Sequence, residues 1–167
     1  MKRKPLTLSR SLAFAAPAIA AYVLVAPAVC ARLDRAFAIR EVVPRWLQPL
    51  GIVLLASGAL IAIWTFVLFA FMGNGTPNPV APPQNLVRSG PYRYSRNPMM
   101  LSGWIAGFGL GLLLRSPSYL LLCVVIVLTG TTYVVFFEEP ALLRRFGTAY
   151  SEYSQSTPRW LRCPHCC

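Results

Sequence analysis

Two adjacent carboxylates, Glu138 and Glu139, follow directly on a long apolar run in a chain that has only five acids among its 167 residues. At the C-terminal end of a helix a carboxylate meets the negative pole of the macrodipole, so helix stability does not account for the pair. Acids at a bilayer boundary are candidates for binding. The competing reading is that charge simply marks the exit from an apolar span. Pro140 comes next and has no backbone N–H to donate, so the helix is expected to kink or end nearby and free carbonyls beside the carboxylates. Such a cluster suits a ligand that carries an ammonium, ribose hydroxyls or a sulfonium.

A second group of polar residues is Gly90-Pro91-Tyr92-Arg93-Tyr94-Ser95-Arg96-Asn97-Pro98. Tyrosines and arginines of this kind make up an interfacial belt, with the cations reaching outward to the headgroups. A belt explains the residue types but not their order. The single histidine, His165, sits in the tail Cys163-Pro164-His165-Cys166-Cys167. Four potential ligands crowded into five residues do not match a zinc site drawn from two separated pairs, so no metal is expected. The same placement disfavours a Ser-His-Asp hydrolase. The five cysteines lack the spacing of a disulfide framework. No residue declares itself a catalytic nucleophile or base.

Four apolar runs must position these groups: residues 11–31, 49–73, 98–114 and 116–137. At about 1.5 Å rise per residue, some 20 residues cross a hydrocarbon core roughly 30 Å thick. Backbone groups in lipid must be satisfied internally, and the runs lack the alternation of barrel strands, so helices are expected. The predicted fold is all-α, an integral membrane protein with four transmembrane helices and a C-terminal cytoplasmic amphipathic helix. The third run is short, which leaves a re-entrant segment or a buried core helix as alternatives. Only Arg115, Ser116 and Pro117 separate the third and fourth runs, which predicts a tight antiparallel hairpin. Gly103, Gly107 and Gly111 fall four apart, with Gly109 among them, a pattern that lets helices approach closely. Gly107-x-Gly109-x-Gly111 is not a nucleotide fingerprint, because no strand precedes it.

The segment 73–97 is rich in Gly and Pro and cannot be a helix; it either covers a polar site or serves as a solvated connector. Beyond the fourth run, Leu142, Phe146, Ala149, Tyr150 and Tyr153 recur at helical spacing and predict the amphipathic helix. Gly147 interrupts it, which suggests close packing there.

With 56% hydrophobic and 13% charged residues, the chain departs from the about 25% charge of soluble domains. Its formal charge of +11, from 16 Lys and Arg against 5 acids, would suggest nucleic acid in a soluble protein. Here the cations flank apolar runs, a pattern of membrane anchoring, and no nucleic-acid partner is expected. Lys2, Arg3, Lys4 and Arg10, with the arginines of the 73–97 loop and the C-terminal segment, outnumber those of the opposite loops, so both termini are expected in the cytoplasm, at a bacterial inner membrane. The first run also has the layout of a signal peptide, with Ala26-Pro27-Ala28 as a cleavage site; an uncleaved helix over 11–31 is preferred because more spans follow. Residues 1–167 are read as one domain.

The order of the clusters resembles the isoprenylcysteine carboxyl methyltransferase family, in particular its short bacterial, phospholipid methyltransferase-like members. The resemblance rests on Gln84-Asn85-Leu86-Val87, Gly90-Pro91-Tyr92, Arg96-Asn97-Pro98-Met99-Met100 with Gly103, Glu138-Glu139, Phe146-Gly147-x-x-Tyr150-x-x-Tyr153 and Thr157-Pro158-Arg159-Trp160. It covers residues 75–160. The resemblance implies an S-adenosylmethionine-dependent methyltransferase in the membrane, acting on a lipophilic carboxylate, lipid amine or thiol at the cytoplasmic face. Its cofactor contacts would fall on Gln84, Asn85, Leu86, Val87, Tyr92, Asn97, Pro98, Met99, Met100 and Glu138, with Arg96 and Glu139 shaping the site.

Two positions depart from the family pattern. Asn97 stands where many members have His, and an amide can donate a hydrogen bond but cannot act as a general base. Val134 stands where the prenylcysteine enzymes have a substrate-associated Arg, so a prenylcysteine carboxylate would lack that partner here. Methyl transfer from a sulfonium disperses charge, so a dry, well-aligned site at the membrane interface suits it. A small membrane scaffold or transporter is the competing reading; a transporter would need ionisable residues inside its spans.

Overall fold

A computed structural model describes residues 20–39, 42–72 and 85–161. Among these residues every regular element is helical. A π-turn, Ala21–Val25, leads into α1 (Ala26–Ala36), so the first helix runs five residues past the end of the expected run. The portion of that run over 11–19 lies outside the described residues. After a single 3-10 turn, Arg45–Leu47, comes α2 (Gln48–Met72), then α3 (Pro98–Leu114), α4 (Pro117–Tyr133), a second π-turn (Val134–Glu138), α5 (Glu139–Phe146) and α6 (Thr148–Ser156).

Among the described residues two helices are long and apolar enough to cross a membrane, Arg45–Leu68 and Pro117–Phe146, with mean hydropathies of 2.3 and 2.5. The first spans about 36 Å at helical rise, enough for a hydrocarbon core. α3 has 17 residues and falls short at about 25 Å. Leu60, Ile63, Leu121 and Leu128 remain exposed on the two long rods, faces that suit lipid rather than water.

Small residues set the α2–α3 contact. A Cβ on Gly58 would lie 2.6 Å from the Ala106 amide nitrogen, and one on Gly109 would lie 2.4 Å from that of Leu55. Gly111 instead faces Leu120 and Tyr119 of α4. The glycine ladder of α3 therefore packs on both neighbours, as its spacing predicted, except at Gly103, where a Cβ would meet nothing within 4 Å.

The α3–α4 hairpin is as tight as its three linking residues require. Arg115 adopts a left-handed conformation (φ 53°), the Ser116 side chain accepts a hydrogen bond from the Tyr119 amide, and Pro117 opens α4. Asp34, buried on α1, takes hydrogen bonds from the Ser116 hydroxyl and, at 3.0 Å, from the Ser118 amide. Arg115 Nε donates to the Val43 carbonyl at 2.8 Å. This end of the bundle is thus closed by polar groups that satisfy one another.

Both π-turns precede a proline. In the first, the Ala26 amide bonds back to Ala21, five residues away, and Pro27 has no N–H for the Tyr22 carbonyl. The Tyr119 hydroxyl supplies one at 3.0 Å. In the second, the Glu139 amide bonds back to Val134, and Pro140 has nothing to offer Val135. Of the two outcomes expected at Pro140, a kink or an end, the end does not occur. One local i→i+5 turn absorbs the proline, and the helical rod continues from Pro117 to Phe146.

The amphipathic segment is two helices instead of one. Gly147 takes φ 54° and ψ −128°, a region open to glycine alone, and a Cβ there would touch nothing within 4 Å. The expectation of close packing at Gly147 is corrected: the glycine is required by backbone conformation.

Candidate functional site

At the opposite end from Asp34, four chain segments converge: the turn before α3, the second π-turn with α5, α6, and the strand-like stretch after it. The 3-10 turn Gly90–Arg93 is seated on α2, because Gly90 (φ 59°) lies against Leu68 and Trp64. Tyr92 is buried within it, and its carbonyl accepts a 2.7 Å hydrogen bond from the Tyr153 hydroxyl of α6. Arg88 sits over the Tyr153 ring, 5.7 Å from its centroid, and donates to the Ala149 carbonyl. Ser95 to Asn97 then run alongside Pro158 and Arg159. The Arg96 amide donates to Pro158 O at 2.9 Å, and Ser95 Oγ and Asn97 Nδ2 share Arg159 O at 3.1 and 3.2 Å. Trp160 packs on Trp104 of α3 with ring centroids 4.5 Å apart.

At the centre lies an ion cluster. Glu139 Oε1 receives Arg96 Nη1 at 2.9 Å and Arg159 Nε at 2.8 Å, while Oε2 receives Arg159 Nη2 at 2.8 Å. The Arg159 contact is the paired-fork geometry that a guanidinium makes with a carboxylate. Tyr150 closes over it, its hydroxyl 3.4 Å from Arg96 Nη1. Glu138, one residue earlier and half-buried, has no ion pair or hydrogen bond among the described residues.

Burial pushes the Tyr92 phenol above its ordinary range, with the Tyr153 and Glu138 charges adding to the effect. Tyr150 and Tyr153 are also raised by burial first; Glu139 reinforces the shift at Tyr150, and Tyr150 that at Tyr153. All three therefore stay protonated donors at neutral pH. The hydrogen bonds to Glu139 raise Arg159 further, against the opposing effect of burial.

The sequence-derived residues distribute unevenly. Tyr92, Arg96, Asn97, Pro98, Glu138 and Glu139 belong to this end of the bundle; Met99 and Met100 form the first turn of α3, and Met100 reaches toward Gly130. Val87 is buried, Leu86 half-buried and Asn85 exposed, while Gln84 lies outside the described residues. Asn97 uses its amide on the chain itself, through Arg159 O. Val134 is fully buried. His165, Cys163, Cys166 and Cys167 lie outside the described residues, and among those described no three His, Cys, Asp or Glu side chains cluster. Arg88 was absent from the sequence-derived set, and Tyr150, Tyr153 and Arg159 entered the sequence reading as motif residues without a place in the site. The signal that could have placed Arg159 is the excess of cations over acids, since a recessed Glu139 must find arginines somewhere.

The family model for phospholipid methyltransferases matches residues 46–149. That span is more than half of the chain and contains α2 through α5, with every sequence-derived site residue inside it. The chain belongs to the phospholipid methyltransferase family. As a member of this methyltransferase family it agrees with the resemblance read from the ordered motifs. A phosphatidylethanolamine N-methyltransferase of Yarrowia lipolytica is 38% identical over 66 residues, covering 40% of this chain. The chain matches only 7% of that relative's length. No solved structure matches. For this family member, the buried polar cluster at the end of two apolar rods is the feature with chemistry to offer.

Proposed function

We propose that the protein is an S-adenosylmethionine-dependent methyltransferase that transfers methyl groups to the amine of a membrane lipid. The observation that carries this reading is the Glu138 carboxylate, unpaired among the described residues, beside the buried Tyr92 and set at the end of apolar rods within the span matched by the family. The donor set fits the cofactor. Among the described residues, an acid without a partner and a phenol donor suit a group bearing positive charge and ribose hydroxyls, and a buried Arg96 Nε without an acceptor suits an anionic one.

Bound there, S-adenosylmethionine would supply an electrophilic methyl group on a sulfonium. The protein's own part is to hold and align. Glu138 attracts positive charge, Tyr92 donates a hydrogen bond, and the segments 85–97 and 157–161 wall the site from water. A lipid ammonium must lose its proton before the nitrogen can attack, and desolvation favours the neutral amine. A prenylcysteine carboxylate is disfavoured, because the fully buried Val134 offers it no cation.

The wider arrangement follows from the same reading. Residues 1–167 act as one unit with the family-like core over 75–160. Four spans, the short α3 among them, cross a bacterial inner membrane. Both termini, the ion cluster and the α5–α6 pair lie on the cytoplasmic side, where the water-soluble cofactor is available.

The test is to incubate the purified protein with radiolabelled S-adenosylmethionine and vesicles of phosphatidylethanolamine, then resolve the lipids. Mono-, di- or trimethylated headgroups are expected. Label that stays in the aqueous phase, with no cofactor binding by calorimetry, would overturn the reading. Glu138→Ala should weaken cofactor binding by at least about tenfold, the scale of one charge-assisted contact. Unchanged binding would remove Glu138 from the site.

A further inference from the structure

The Asp34 end of the bundle holds a cavity that takes no part in the chemistry above. It measures about 280 Å³ and lies between α1 and the end of α3, lined by Pro27, Ala28, Ala31, Asp34, Arg35 and Leu114. Small-molecule pockets hold about 300–1,000 Å³, so this space takes one slender group. Ala28 and Arg35 are exposed, which leaves the cavity open at the side of the bundle. Its walls are aliphatic apart from two charges. The Asp34 carboxylate is turned to the Ser116 hydroxyl and the Ser118 amide, so the charge at the mouth is the Arg35 guanidinium.

Arg35 bends back instead of reaching outward along the helix axis. Its Nε donates to the Ala31 carbonyl at 3.1 Å, one turn earlier, which lays the guanidinium along α1 over the cavity. Arg32 stands three residues before it, a spacing that makes the two neighbours on the helix surface. Among the described residues neither arginine has an acidic partner. The helix dipole accounts for one cation in the last turn of α1; it does not account for a pair beside an apolar cavity. The segment 32–45 carries four arginines against two acids, on the proposed outer side, where the positive-inside rule accounts for few cations. Phe37 and Trp46 are exposed at the same end, and aromatic side chains in such positions mark the level of the headgroups.

We infer that this is a binding site for an anionic glycerophospholipid of the leaflet at the Asp34 end. Arg32 and Arg35 take the phosphate and the acidic headgroup, and one acyl chain lies in the cavity beside Ala28 and Ala31. A free anion would leave the cavity unfilled, and a zwitterionic lipid would bring an ammonium that two arginines repel. An acidic lipid meets both the charge and the apolar space. Because the site is at the far end of the rods from Glu139, its occupant is held there as a ligand of the fold, sealing the seam between α1 and α3. The inference is independent of the cofactor reading.

The full-length protein in mild detergent is mixed with equal amounts of phosphatidylglycerol and phosphatidylcholine of the same chain length, and the retained lipid is read by native mass spectrometry. One phosphatidylglycerol per chain should be kept, with a preference of about thirtyfold, the effect of two arginines at a headgroup. In the double variant Arg32→Gln with Arg35→Gln the preference should fall to about threefold or less. Arg45→Gln, on another element at the same end, should stay within about threefold of the wild type. Ala31→Leu fills the cavity without altering a charge, and should reduce retention of phosphatidylglycerol at least about tenfold through lost burial of the chain. Each variant should melt as the wild type does in detergent alone, which separates loss of the lipid from loss of the fold. No preference in the wild type, an equal loss in Arg45→Gln, or unchanged retention in Ala31→Leu would each overturn the proposal.

Discussion

Glu138 and Glu139 are neighbours in sequence, but their surroundings differ. Glu139 is held by three short contacts to Arg96 and Arg159, and removing it leaves guanidinium groups facing each other with nothing between them. Glu139→Ala should therefore destabilise the fold by about 3 kcal/mol or more. Arg159→Ala should cost about 1 kcal/mol or less, since Arg159 is 37% exposed and solvent screens it. Thermal unfolding of the two variants checks the order; equal losses would contradict it. Tyr150 gives a pH signature. Its phenol is raised by burial and by Glu139, so the folded state holds its proton more tightly than the unfolded one. That contribution is complete below the ordinary phenol value near 10 and is lost as pH rises through the folded value. Above about pH 10, melting temperatures should fall more steeply for the wild type than for Tyr150→Phe. The sequence marked Glu138, Tyr92 and Arg96 as candidates, because acids are scarce and the motif order is specific. It could not assign Arg159 to Glu139, since that pairing crosses 20 residues and depends on the turn at Gly147.

That turn belongs to the scale of elements. Gly147 bends the chain so that α6 folds back over the loop before α3, bringing Tyr153 to Tyr92 and Arg159 to Glu139. Gly147→Ala should cost about 1 to 3 kcal/mol in strain and loosen the α6 segment. Limited proteolysis would then cut α6 faster than in the wild type, and unchanged cutting would refute the role given to the turn. The apolar runs were legible because length and hydropathy are local properties, and α3 matched its predicted limits. The continuation through Pro140 was not. Whether a proline breaks a helix or is absorbed by a π-turn depends on neighbours that local sequence does not specify. Gly147 was noticed for the wrong reason, because a glycine's spacing reveals nothing about the sign of its φ.

For the whole molecule, two polar ends are joined by apolar rods: Asp34, Ser116 and Arg115 at one, the Glu139 cluster at the other. If the cluster end faces the cytoplasm, a fluorescent reporter fused after Cys167 should fold and glow in cells, while alkaline phosphatase at the same point should be inactive. A reporter inserted at Phe37, on the exposed turn after α1, should behave in the opposite way. Active phosphatase at the C-terminus would reverse the proposed orientation. The positions of the arginines predict the orientation that this pair of fusions tests. The closing of the distal end by Asp34 was not legible in the sequence, because its partners lie more than 80 residues away.

The π-turn over Val134–Glu138 has a consequence for how the two carboxylates are aimed. A π-turn amounts to one residue inserted into an α-helix, and each residue of an α-helix advances the chain by about 100° around the axis. Without the insertion, everything beyond it would be rotated by that angle against α4. Glu139 would swing off its two arginines, and Pro140 would be forced into an ordinary turn. Deleting Val135 should therefore leave a helix of nearly the same length and hydropathy, inserted in the same membrane, with its acids turned to the wrong side. The extra residue acts as a setting for direction, and it keeps the rod's role as a span separate from the aim of the groups it carries.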